Sequence, residues 1–569
     1  MTEGDQTRSW DEAVAEVTAP GGRYELTTAE VDGRTYTVFA QTPPSLGALF
    51  DRCRGRDGVF LVYEDERWTF ERCMAEIDAL GDALVHDLGV APGDRVAIAM
   101  RNYPEWVVAF GAAVSVGAVA VCLNAWWTAE ELWYGLEDSG ARVLLADAER
   151  AERAHGAATS LDIATVVVRP DGAVPTGARS YDDVVRSRLG AALPEVAIDL
   201  DDDATILYTS GTTGHPKGAV STHRAVLSAL LSYGCRSRIN ATMVPPGDPH
   251  PYPTSFILVV PLFHVTGLVP VLLNCVLGGF PLTIMYRWDP ERALELIERE
   301  RITQFVGVPT MSWDLLESPS FATRDTSSLV SVGGGGAPAP PELVHRVERS
   351  FAKGRPAIGY GMTETNAYGP QNSGDDYVRK PRSSGRTVPT MQVSVRDEDG
   401  EALPIGAVGE ICFRGPNLIR GYWNKPEATA EAFTADGWLR SGDLGRIDEE
   451  GFIFVEDRVK DMVLRGGENV YCAEVEAVLY EHPAVYECAV FGVPHERLGE
   501  EVAVAVLPRP GATVEPAELQ AHVAAHLASF KVPSVVLVCD EALPRGATGK
   551  ILKRELRDRL AQSSNDDRS

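Results

Sequence analysis

The chain has 569 residues, of which 44% are hydrophobic and 24% charged, so a bulk disordered or fibrous protein is excluded. This length exceeds what one hydrophobic core usually serves, and we expect at least two domains. Acidic residues outnumber basic residues by 81 to 53, and the formal net charge of −28 disfavours nucleic acid and anionic lipid as partners. Anionic substrates would therefore need cations that are concentrated locally.

The cysteine pattern and the N-terminus bear on location. Nine cysteines are scattered along the chain without a CxxC pair, which is typical of free thiols in a reducing cytoplasm. The first segment, MTEGDQTRSWDEA, lacks the apolar core of a signal peptide. We predict a cytoplasmic protein.

Between residues 68 and 148, helical patterns alternate with short apolar segments. FERCMAEIDALGDALVHDL precedes GDRVAIAM, PEWVVAFGAAVS precedes AVAVCLN, and TAEELWYGLEDSG precedes ARVLLAD. The later segment DPERALELIERERITQFVGVP continues the theme. Such alternation predicts a parallel sheet with helices on its faces.

The segment from Phe256 to Tyr286 contains no Asp, Glu, Lys or Arg and is long enough to span a bilayer. Prolines, glycines, a histidine and an asparagine interrupt it, so we interpret it as a buried strand, a turn and a buried helix. No integral membrane segment is predicted. Residues 240–255, NATMVPPGDPHPYPTS, are rich in proline and are predicted to form a surface loop.

A domain boundary is predicted at the string DRVKD, residues 457–461. Before it, GWLRSGDLGRIDEEGFIFV has the pattern of hairpin strands with Gly and Asp turns. After it, helix and strand patterns mix in a segment of about 110 residues, an ordinary size for a small α+β domain. We divide the chain into residues 1–457, a connection at 458–460, and residues 461–569.

The string YTSGTTGHPKGA, Tyr208–Ala219, follows the strand pattern ATILY. It is not a Walker-type P-loop, because Pro216 stands where that loop needs a glycine and Gly218 follows the lysine. Its glycines would still let backbone N–H groups approach a polyanion, its hydroxyls add donors, and Lys217 adds a cation. The residues of this predicted phosphate loop are Thr209, Ser210, Gly211, Thr212, Thr213, Gly214 and Lys217.

The same string resembles the signature of the adenylate-forming superfamily, which includes acyl-CoA synthetases, nonribosomal-peptide adenylation domains and beetle luciferases. Further segments match in the family's order and cover most of the chain from about residue 60 onward: PLFHVTG (261–267), GGGGAP (333–338), YGMTET (360–365), GYWNKPEAT and DGWLRSGDLG (within 421–445), DRVKDMVLRGGENVY (457–471) and LPRGATGKILKREL (543–556).

The resemblance implies an α/β fold. Its large N-terminal domain would have stacked, mostly parallel sheets flanked by helices and a distorted β-barrel, and its small α+β C-terminal domain would be mobile. It also implies an AMP-forming acid–thiol ligase. Such an enzyme joins a small carboxylic acid to the α-phosphate of ATP, releases pyrophosphate, and transfers the acyl group to coenzyme A. Joining two anions needs cations and oriented donors in a site that excludes water.

The resemblance also implies residue roles. Glu364 and Thr209 would hold Mg²⁺, which prefers oxygen ligands, and Thr363 would hydrogen-bond the α-phosphate. Asp443 would accept from the ribose hydroxyls. Lys550 would reach the carboxylate and the α-phosphate. The further residues implied are His264 in the acyl pocket, Arg458 beside the ribose, and the backbone walls Gly335, Gly336, Ala337, Pro338, Gly359, Tyr360 and Gly361.

The family rotates its small domain about the position of Lys460 between the half-reactions. The loop Arg465–Asn469 then meets the pantetheine arm of coenzyme A, and Gly466 and Gly467 would permit close approach. Cys472 stands where proline is commoner in the family.

Substrate signals are weaker. Trp126 and Trp127 stand where many relatives have less bulky residues, so they either pack or shape the acyl pocket. Asn366 and Tyr368 hint at a polar or aromatic acid. The acid itself, whether fatty, aromatic or another oxyanion, is not readable from the sequence.

Several alternatives stay open. The acceptor could be a carrier protein, an amine or oxygen, and the activated group could be an unusual oxyanion such as nitrite. A different class is an inactive paralogue that only binds. Against that class stand the intact residues Lys217, Thr363, Glu364, Asp443 and Lys550. The oligomeric state is open too, with a homodimer as one option.

Overall fold

A computed structural model describes residues 8–209, 216–244, 249–466, 468–546 and 549–566. Within these ranges the strands are β1 (Leu26–Val31), β2 (Arg34–Phe39), β3 (Val59–Tyr63), β4 (Glu66–Thr69), β5 (Arg95–Ala99), β6 (Val119–Cys122), β7 (Val143–Asp147), β8 (Ala164–Val168), β9 (Arg179–Ser180), β10 (Asp203–Thr209), β11 (Lys217–Thr222), β12 (Phe256–Leu258), β13 (Leu282–Ile284), β14 (Gln304–Gly307), β15 (Ser331–Gly335), β16 (Arg355–Gly359), β17 (Gln371–Ser373), β18 (Gln392–Arg396), β19 (Gly409–Arg414), β20 (Gly421–Tyr422), β21 (Leu439–Ile447), β22 (Ile453–Arg458), β23 (Val463–Arg465), β24 (Glu468–Val470), β25 (Val485–His495), β26 (Gly499–Pro508) and β27 (Val535–Val538).

The α-helices within the same ranges are α1 (Trp10–Val17), α2 (Leu46–Asp51), α3 (Phe70–His86), α4 (Pro104–Ser115), α5 (Ala129–Ser139), α6 (Ala148–Ser160), α7 (Tyr181–Arg188), α8 (His223–Met243), α9 (Asn274–Gly278), α10 (Pro290–Glu300), α11 (Pro309–Glu317), α12 (Pro341–Ser350), α13 (Gly374–Arg379), α14 (Pro426–Ala432), α15 (Cys472–Tyr480), α16 (Pro516–His526) and α17 (Lys553–Asp566).

Two eight-stranded sheets dominate the N-terminal part. Their orders are β20-β11-β10-β6-β5-β7-β8-β9 and β17-β16-β15-β14-β12-β13-β3-β4. In the first sheet the pairs from β10–β6 to β8–β9 are parallel, and in the second the pairs from β16–β15 to β13–β3 are parallel. The predicted mostly parallel α/β architecture is confirmed.

The large hydrophobic core is formed by the two eight-stranded sheets and the helices that pack against them. Helix α4 is buried along its whole length, as expected for a helix that is apolar on every side. One hydrophobic cluster joins Val96 and Ile98 of the first sheet to Ile257 and Phe305 of the second. The packing of these layers holds the ends of their strands in fixed positions.

The charge-free segment folds into β12, a turn and a buried helical segment, as predicted, and also contains β13, which was not predicted. Pro270 lies inside a π-helical stretch, Gly267–Leu273, where its missing N–H is tolerated, and α9 follows. Among the described helices, none has the length and apolar character needed to cross a membrane.

The predicted loop at 240–255 begins later than expected. Helix α8 continues to Met243, and the side chain of Asn240 donates to Ser373 Oγ at 3.0 Å. This tertiary contact extends the helix beyond what the polar sequence indicates. Residues 245–248 lie outside the described ranges.

Smaller, mostly antiparallel sheets complete the chain. The sheet β18-β19-β21-β22 occupies the place of the predicted distorted barrel, with β18 and β22 as its edges. The C-terminal sheet contains β24-β23-β26-β25, with β27 beside β26, and α15 and α16 pack on one of its faces. The predicted small α+β unit is confirmed. Within the proposed connection, Arg458 is the last residue of β22, and residues 459–460 lie in the turn that precedes β23.

Candidate active site

The phosphate loop connects the two strands of a hairpin. Thr209, the last residue of β10, pairs with Lys217, the first residue of β11, and its hydroxyl donates to the Lys217 carbonyl at 3.3 Å. The hairpin therefore closes the two ends of the loop. The predicted loop residues Ser210, Gly211, Thr212, Thr213 and Gly214 lie outside the described residues.

Glu364 lies close to this hairpin and is buried, with 7% of its surface exposed. It belongs to a short 3₁₀ helix, Thr363–Thr365, which begins four positions after Gly359, the last residue of β16. The phenol of Tyr422 donates to Glu364 Oε1 at 2.7 Å. Burial raises the pKa of Glu364, while the Tyr422 hydrogen bond and the charges of Arg458 and Lys217 lower it.

Tyr422 contacts two of the predicted site residues, and sequence reasoning did not single it out. Its ring faces the Lys217 ammonium, with 5.1 Å between Nζ and the ring centroid. Strand β20 pairs with β11 so that Tyr422 lies opposite Ala219, which brings its ring to Lys217. The signal was present, since Tyr422 belongs to the matched segment GYWNKPEAT.

The predicted ribose site is built on facing strands. Asp443 on β21 lies opposite Arg458 on β22, with 3.4 Å between Asp443 Oδ1 and Arg458 Nε. The phenol of Tyr360 donates to Asp443 Oδ2 at 2.5 Å. Burial raises the pKa of Tyr360 well above its usual value, and the neighbouring Asp443 carboxylate raises it further. A carboxylate has about four acceptor positions, so capacity remains for ribose hydroxyls.

The predicted backbone walls lie at the carboxyl ends of β15 and β16, where parallel sheets commonly bind ligands. A Cβ atom at Gly335 would lie 2.4 Å from the Gly359 carbonyl oxygen, and one at Gly361 would lie 2.2 Å from the Ala367 oxygen. Glycine is therefore required at both positions. Gly336 has φ +82°, and Ala337 and Pro338 continue the same turn.

Lys550 reaches this region on a loop anchored by Arg545. Arg545 Nη1 donates to Thr310 Oγ1 on α11 at 3.2 Å and also to the Gly549 carbonyl, and its guanidinium pairs with Glu487. Sequence reasoning did not single out Arg545, although it is part of the segment LPRGATGK. The anchor links the C-terminal loop to the N-terminal part.

Lys550 shares its electrostatic environment with the other site residues. Burial, and to a smaller extent the charge of Arg458, lower the pKa of Lys550 to about 8, while Asp443 opposes the shift. Arg458 also lowers the pKa of Glu364. One guanidinium thus acts on both Lys550 and Glu364, as residues around one bound nucleotide would require.

His264 begins the turn that leads into the buried helical segment. Its Nδ1 accepts from the backbone N–H of Thr266 at 3.3 Å, and burial lowers its pKa to about 4. The imidazole is therefore neutral near pH 7, with its other nitrogen carrying the proton. This state suits a hydrogen-bond donor in a pocket better than a general base.

Two family models match the chain. The model for the AMP-binding enzyme matches residues 51–423, and the model for the AMP-binding enzyme C-terminal domain matches residues 474–550. The chain belongs to the AMP-binding enzyme family.

Known members of the AMP-binding enzyme family are similar over most of their length. Long-chain-fatty-acid–CoA ligase FadD13 of Mycobacterium tuberculosis is 36% identical over 502 residues, 87% of this chain and 94% of the relative. Feruloyl-CoA synthase of Amycolatopsis sp is 38% identical over 475 residues, 83% of this chain and 90% of the relative. The ATP-bound structure of MatB from Rhodopseudomonas palustris is 31% identical, with a TM-score of 0.79, and the match covers 90% of this chain and 98% of MatB. The predicted enzyme class, an AMP-forming acid–thiol ligase, is confirmed.

The residues predicted for the second half-reaction lie with the C-terminal part of this AMP-binding enzyme. Gly466 has φ +60° and donates its N–H to the Leu498 carbonyl at 2.8 Å, at the turn between β23 and β24. Lys460 is exposed in the turn after β22. Gly467 lies outside the described residues.

The tryptophan pair packs on the first sheet. Trp127 is buried and packs edge-on against Tyr208, with ring centroids 5.5 Å apart. Trp126 is 45% exposed, and the Arg101 guanidinium lies 5.2 Å from its ring. These contacts give both residues packing roles in this AMP-binding enzyme.

Asn366 and Tyr368 are used within the protein. The Asn366 amide donates to the Asn417 carbonyl at 3.1 Å, and the buried Tyr368 phenol accepts from the Val388 N–H at 3.1 Å. Asn366 and Tyr368 therefore give no indication of a polar or aromatic acid substrate. The contacts could not be foreseen because both partners are distant in the sequence.

A hydrogen bond spans the proposed connection between the two parts. The buried Asp457 carboxylate accepts from the backbone N–H of Cys472, the first residue of α15, and from the N–H of Arg458 at 2.7 Å. Burial raises the pKa of Asp457 to about 6, and Lys553 opposes that shift. The carboxylate is therefore ionised at pH 7.5.

We expect Cys472→Pro to weaken this connection, because proline has no N–H to donate. Proline fits the first helical position sterically, and the preceding Tyr471 is extended, with ψ 115°. Loss of a hydrogen bond to a buried carboxylate, partly offset by the stiffer unfolded chain, should lower the free energy of unfolding by about 1–2 kcal/mol. Guanidinium denaturation at pH 7.5 measures this free energy of unfolding. The control is Cys472→Ala, which keeps the N–H, and equal stability of the two variants would contradict the prediction.

Proposed function

We propose that this enzyme activates a monocarboxylic acid with an apolar body, aliphatic or aromatic, as an acyl-adenylate and transfers the acyl group to coenzyme A. The observation that carries the proposal is the Asp443–Arg458 pair, 3.4 Å apart, whose guanidinium charge also lowers the pKa of Glu364 and of Lys550. The apolar substrate is supported by the charge-free segment that contains His264. It is also supported by the names of relatives that ligate long-chain fatty acids and feruloyl groups.

In the first half-reaction a carboxylate oxygen of the acid attacks the α-phosphorus of ATP, and pyrophosphate leaves. Lys550 would bridge the two oxyanions, Thr363 would donate to the α-phosphate, and Lys217 would offset the charge of the leaving group. Asp443 would hold the ribose hydroxyls. The glycine walls of β15 and β16 would admit the adenine and the acyl group.

The residues at Glu364 fit a magnesium ion. The carboxylate is a hard oxygen ligand, and Tyr422 donates to only one of its two oxygens. Glu364, with Thr209 from the hairpin, would hold the ion. Magnesium would supply neutralisation of the charge on the departing pyrophosphate.

In the second half-reaction the thiol of coenzyme A attacks the acyl carbon and AMP leaves. We propose that residues 461–569 rotate about Lys460, which withdraws Lys550 and brings the Gly466–Gly467 turn forward. A cytoplasmic location is part of the proposal and is supported by the nine free cysteine thiols.

The proposed function is tested by screening carboxylic acids for ATP-dependent pyrophosphate release, with and without coenzyme A. We expect an apolar monocarboxylic acid to give pyrophosphate and AMP, with multiple turnovers only when coenzyme A is present. Turnover without coenzyme A but with an amine or a carrier protein would instead favour the alternative acceptors. If none of the acids tested gave pyrophosphate release, the result would contradict the proposal.

The pKa of Lys550 predicts a pH dependence. The ammonium is charged below about pH 8 and loses its proton above it, so adenylation should decline as the pH rises, with a midpoint at or above pH 8 because a bound triphosphate favours the charged form. Pyrophosphate release from pH 6.5 to 10 measures this decline. In Lys550→Arg, whose side chain stays charged, the alkaline limb should disappear whatever the absolute rate. An unchanged alkaline limb in that variant would contradict the assignment.

A further inference from the structure

Tyr422 contacts two charged residues of the candidate site, Glu364 and Lys217. The Tyr422 hydroxyl donates to Glu364 Oε1 at 2.7 Å, while the face of its ring lies 5.1 Å from the Lys217 ammonium. Within the described part of the chain, no other side chain donates to the Glu364 carboxylate. Tyr422 is therefore the described side chain that holds this buried carboxylate, beside a backbone hydrogen bond of Glu364 itself.

The backbone of Tyr422 is itself held firmly. Its N–H donates to Thr429 Oγ1 at 2.9 Å, and the following Trp423 N–H donates to the Gly218 carbonyl at 2.7 Å. Strand β20 is paired with β11, the strand that begins with Lys217. The backbone of Tyr422 thus has a fixed position relative to Lys217, and a rigid support of this kind keeps a ligand carboxylate in one rotamer.

We propose that Tyr422 is a positioning residue for adenylation: it fixes Glu364 by one carboxylate oxygen, leaves the other oxygen for the metal, and attracts the Lys217 ammonium to its ring face. This inference rests on the proposed function, in which Glu364 binds the metal that accompanies ATP. Tyr422 acts through Glu364 and Lys217 and needs no contact with the reacting atoms. Two separable consequences follow, one for the hydroxyl and one for the ring.

The hydroxyl should determine metal affinity. Removal of a partner that orients a metal ligand commonly costs about 10–100-fold in affinity, so Tyr422→Phe should weaken Mn²⁺ binding by at least about tenfold. The probe is Mn²⁺ with α,β-methylene-ATP, and free Mn²⁺ is measured by electron paramagnetic resonance. This readout requires no turnover.

The ring should contribute to nucleotide binding without metal. Tyr422→Phe keeps the aromatic face beside Lys217, whereas Tyr422→Leu removes it. A cation–π contact at a partly buried site is worth about 0.5–2 kcal/mol, so the metal-free affinity for α,β-methylene-ATP should fall about 2–30-fold in the leucine variant and stay near that of the parent in the phenylalanine variant. Isothermal titration calorimetry with EDTA present measures both.

Tyr181→Phe is the matched control. Its phenol donates to the buried Glu76 carboxylate at 2.9 Å, in a cluster that includes Trp68 on β4 and Arg72 on α3. This variant loses an equivalent hydrogen bond away from the site and should bind Mn²⁺ as the parent does. Both phenylalanine variants lack one hydroxyl only, and circular dichroism verifies that both are folded.

A double-mutant cycle with Glu364→Gln decides whether Tyr422 acts through Glu364. In the glutamine background, Tyr422→Phe should change Mn²⁺ affinity less than threefold. The inference is overturned if Tyr422→Phe binds Mn²⁺ as tightly as the parent, if Tyr181→Phe weakens binding equally, or if the two site substitutions are additive. The parent's acid-dependent pyrophosphate release judges the proposed function separately, since that assay does not involve the variants.

Discussion

Replacement of Lys550 by alanine should abolish acyl-adenylate formation and spare thioester formation from supplied acyl-adenylate. The reason is that Lys550 would stabilise the two oxyanions only while the acid attacks the α-phosphorus. Loss of one such preorganised donor costs about 10²–10³-fold in rate, and loss of a full charge belongs at the upper end of that range. Pyrophosphate release measures the first half-reaction, and release of AMP from acyl-adenylate with coenzyme A measures the second.

The control for that variant is Lys353→Ala, which removes an exposed lysine from the turn between α12 and β16. It should retain both half-reactions. If Lys550→Ala slowed both half-reactions equally, the lysine would have to be assigned a structural role. A catalytic role and a structural role of Lys550 can be distinguished, because Arg545, and not Lys550, anchors the loop through Thr310 and Glu487.

Glu364→Gln should produce the second large effect. The amide oxygen still accepts from Tyr422, so the local packing is kept while the negative charge is lost. The activity at limiting Mg²⁺ should fall about 10–100-fold, and high Mg²⁺ should recover part of it because the phosphates also bind the ion. The measurement is kcat/KM for ATP as a function of Mg²⁺ concentration.

Glu76→Gln is the matched control, since Glu76 is another buried carboxylate that accepts from a phenol, that of Tyr181. Its Mg²⁺ dependence should be that of the parent. Equal activity losses at every Mg²⁺ concentration in Glu364→Gln would contradict a role in metal binding.

The fold was predictable where local patterns and layer packing agree. The helical and apolar patterns of PEWVVAFGAAVS and AVAVCLN give α4 and β6 directly. The interrupted apolar segment was predictable as core because prolines divide it into pieces too short to span a membrane. The loop at 240–255 was predicted to begin too early, because a distant contact between Asn240 and Ser373 stabilises the last turn of α8.

The candidate site was predictable as a set of segments and not as a set of contacts. The matched strings pointed to Glu364, Asp443 and Lys550, yet Tyr422 and Arg545 stand in the same strings and were missed. Tyr422 acquires its role only when β20 pairs with β11, some two hundred positions earlier in the chain, which periodicity cannot show. Arg545 likewise depends on α11 coming close to the C-terminal loop.

The central claim is that Glu364, Asp443 and Lys550 surround one nucleotide. A crystal structure with a non-hydrolysable acyl-adenylate analogue tests it most directly. We predict the Lys550 ammonium about 3 Å from an α-phosphate or acyl oxygen, with Asp443 on the ribose hydroxyls of the same molecule. An analogue bound at Asp443 in a crystal whose C-terminal part keeps the Arg545–Thr310 contact, but with Lys550 beyond hydrogen-bond reach, would contradict the account.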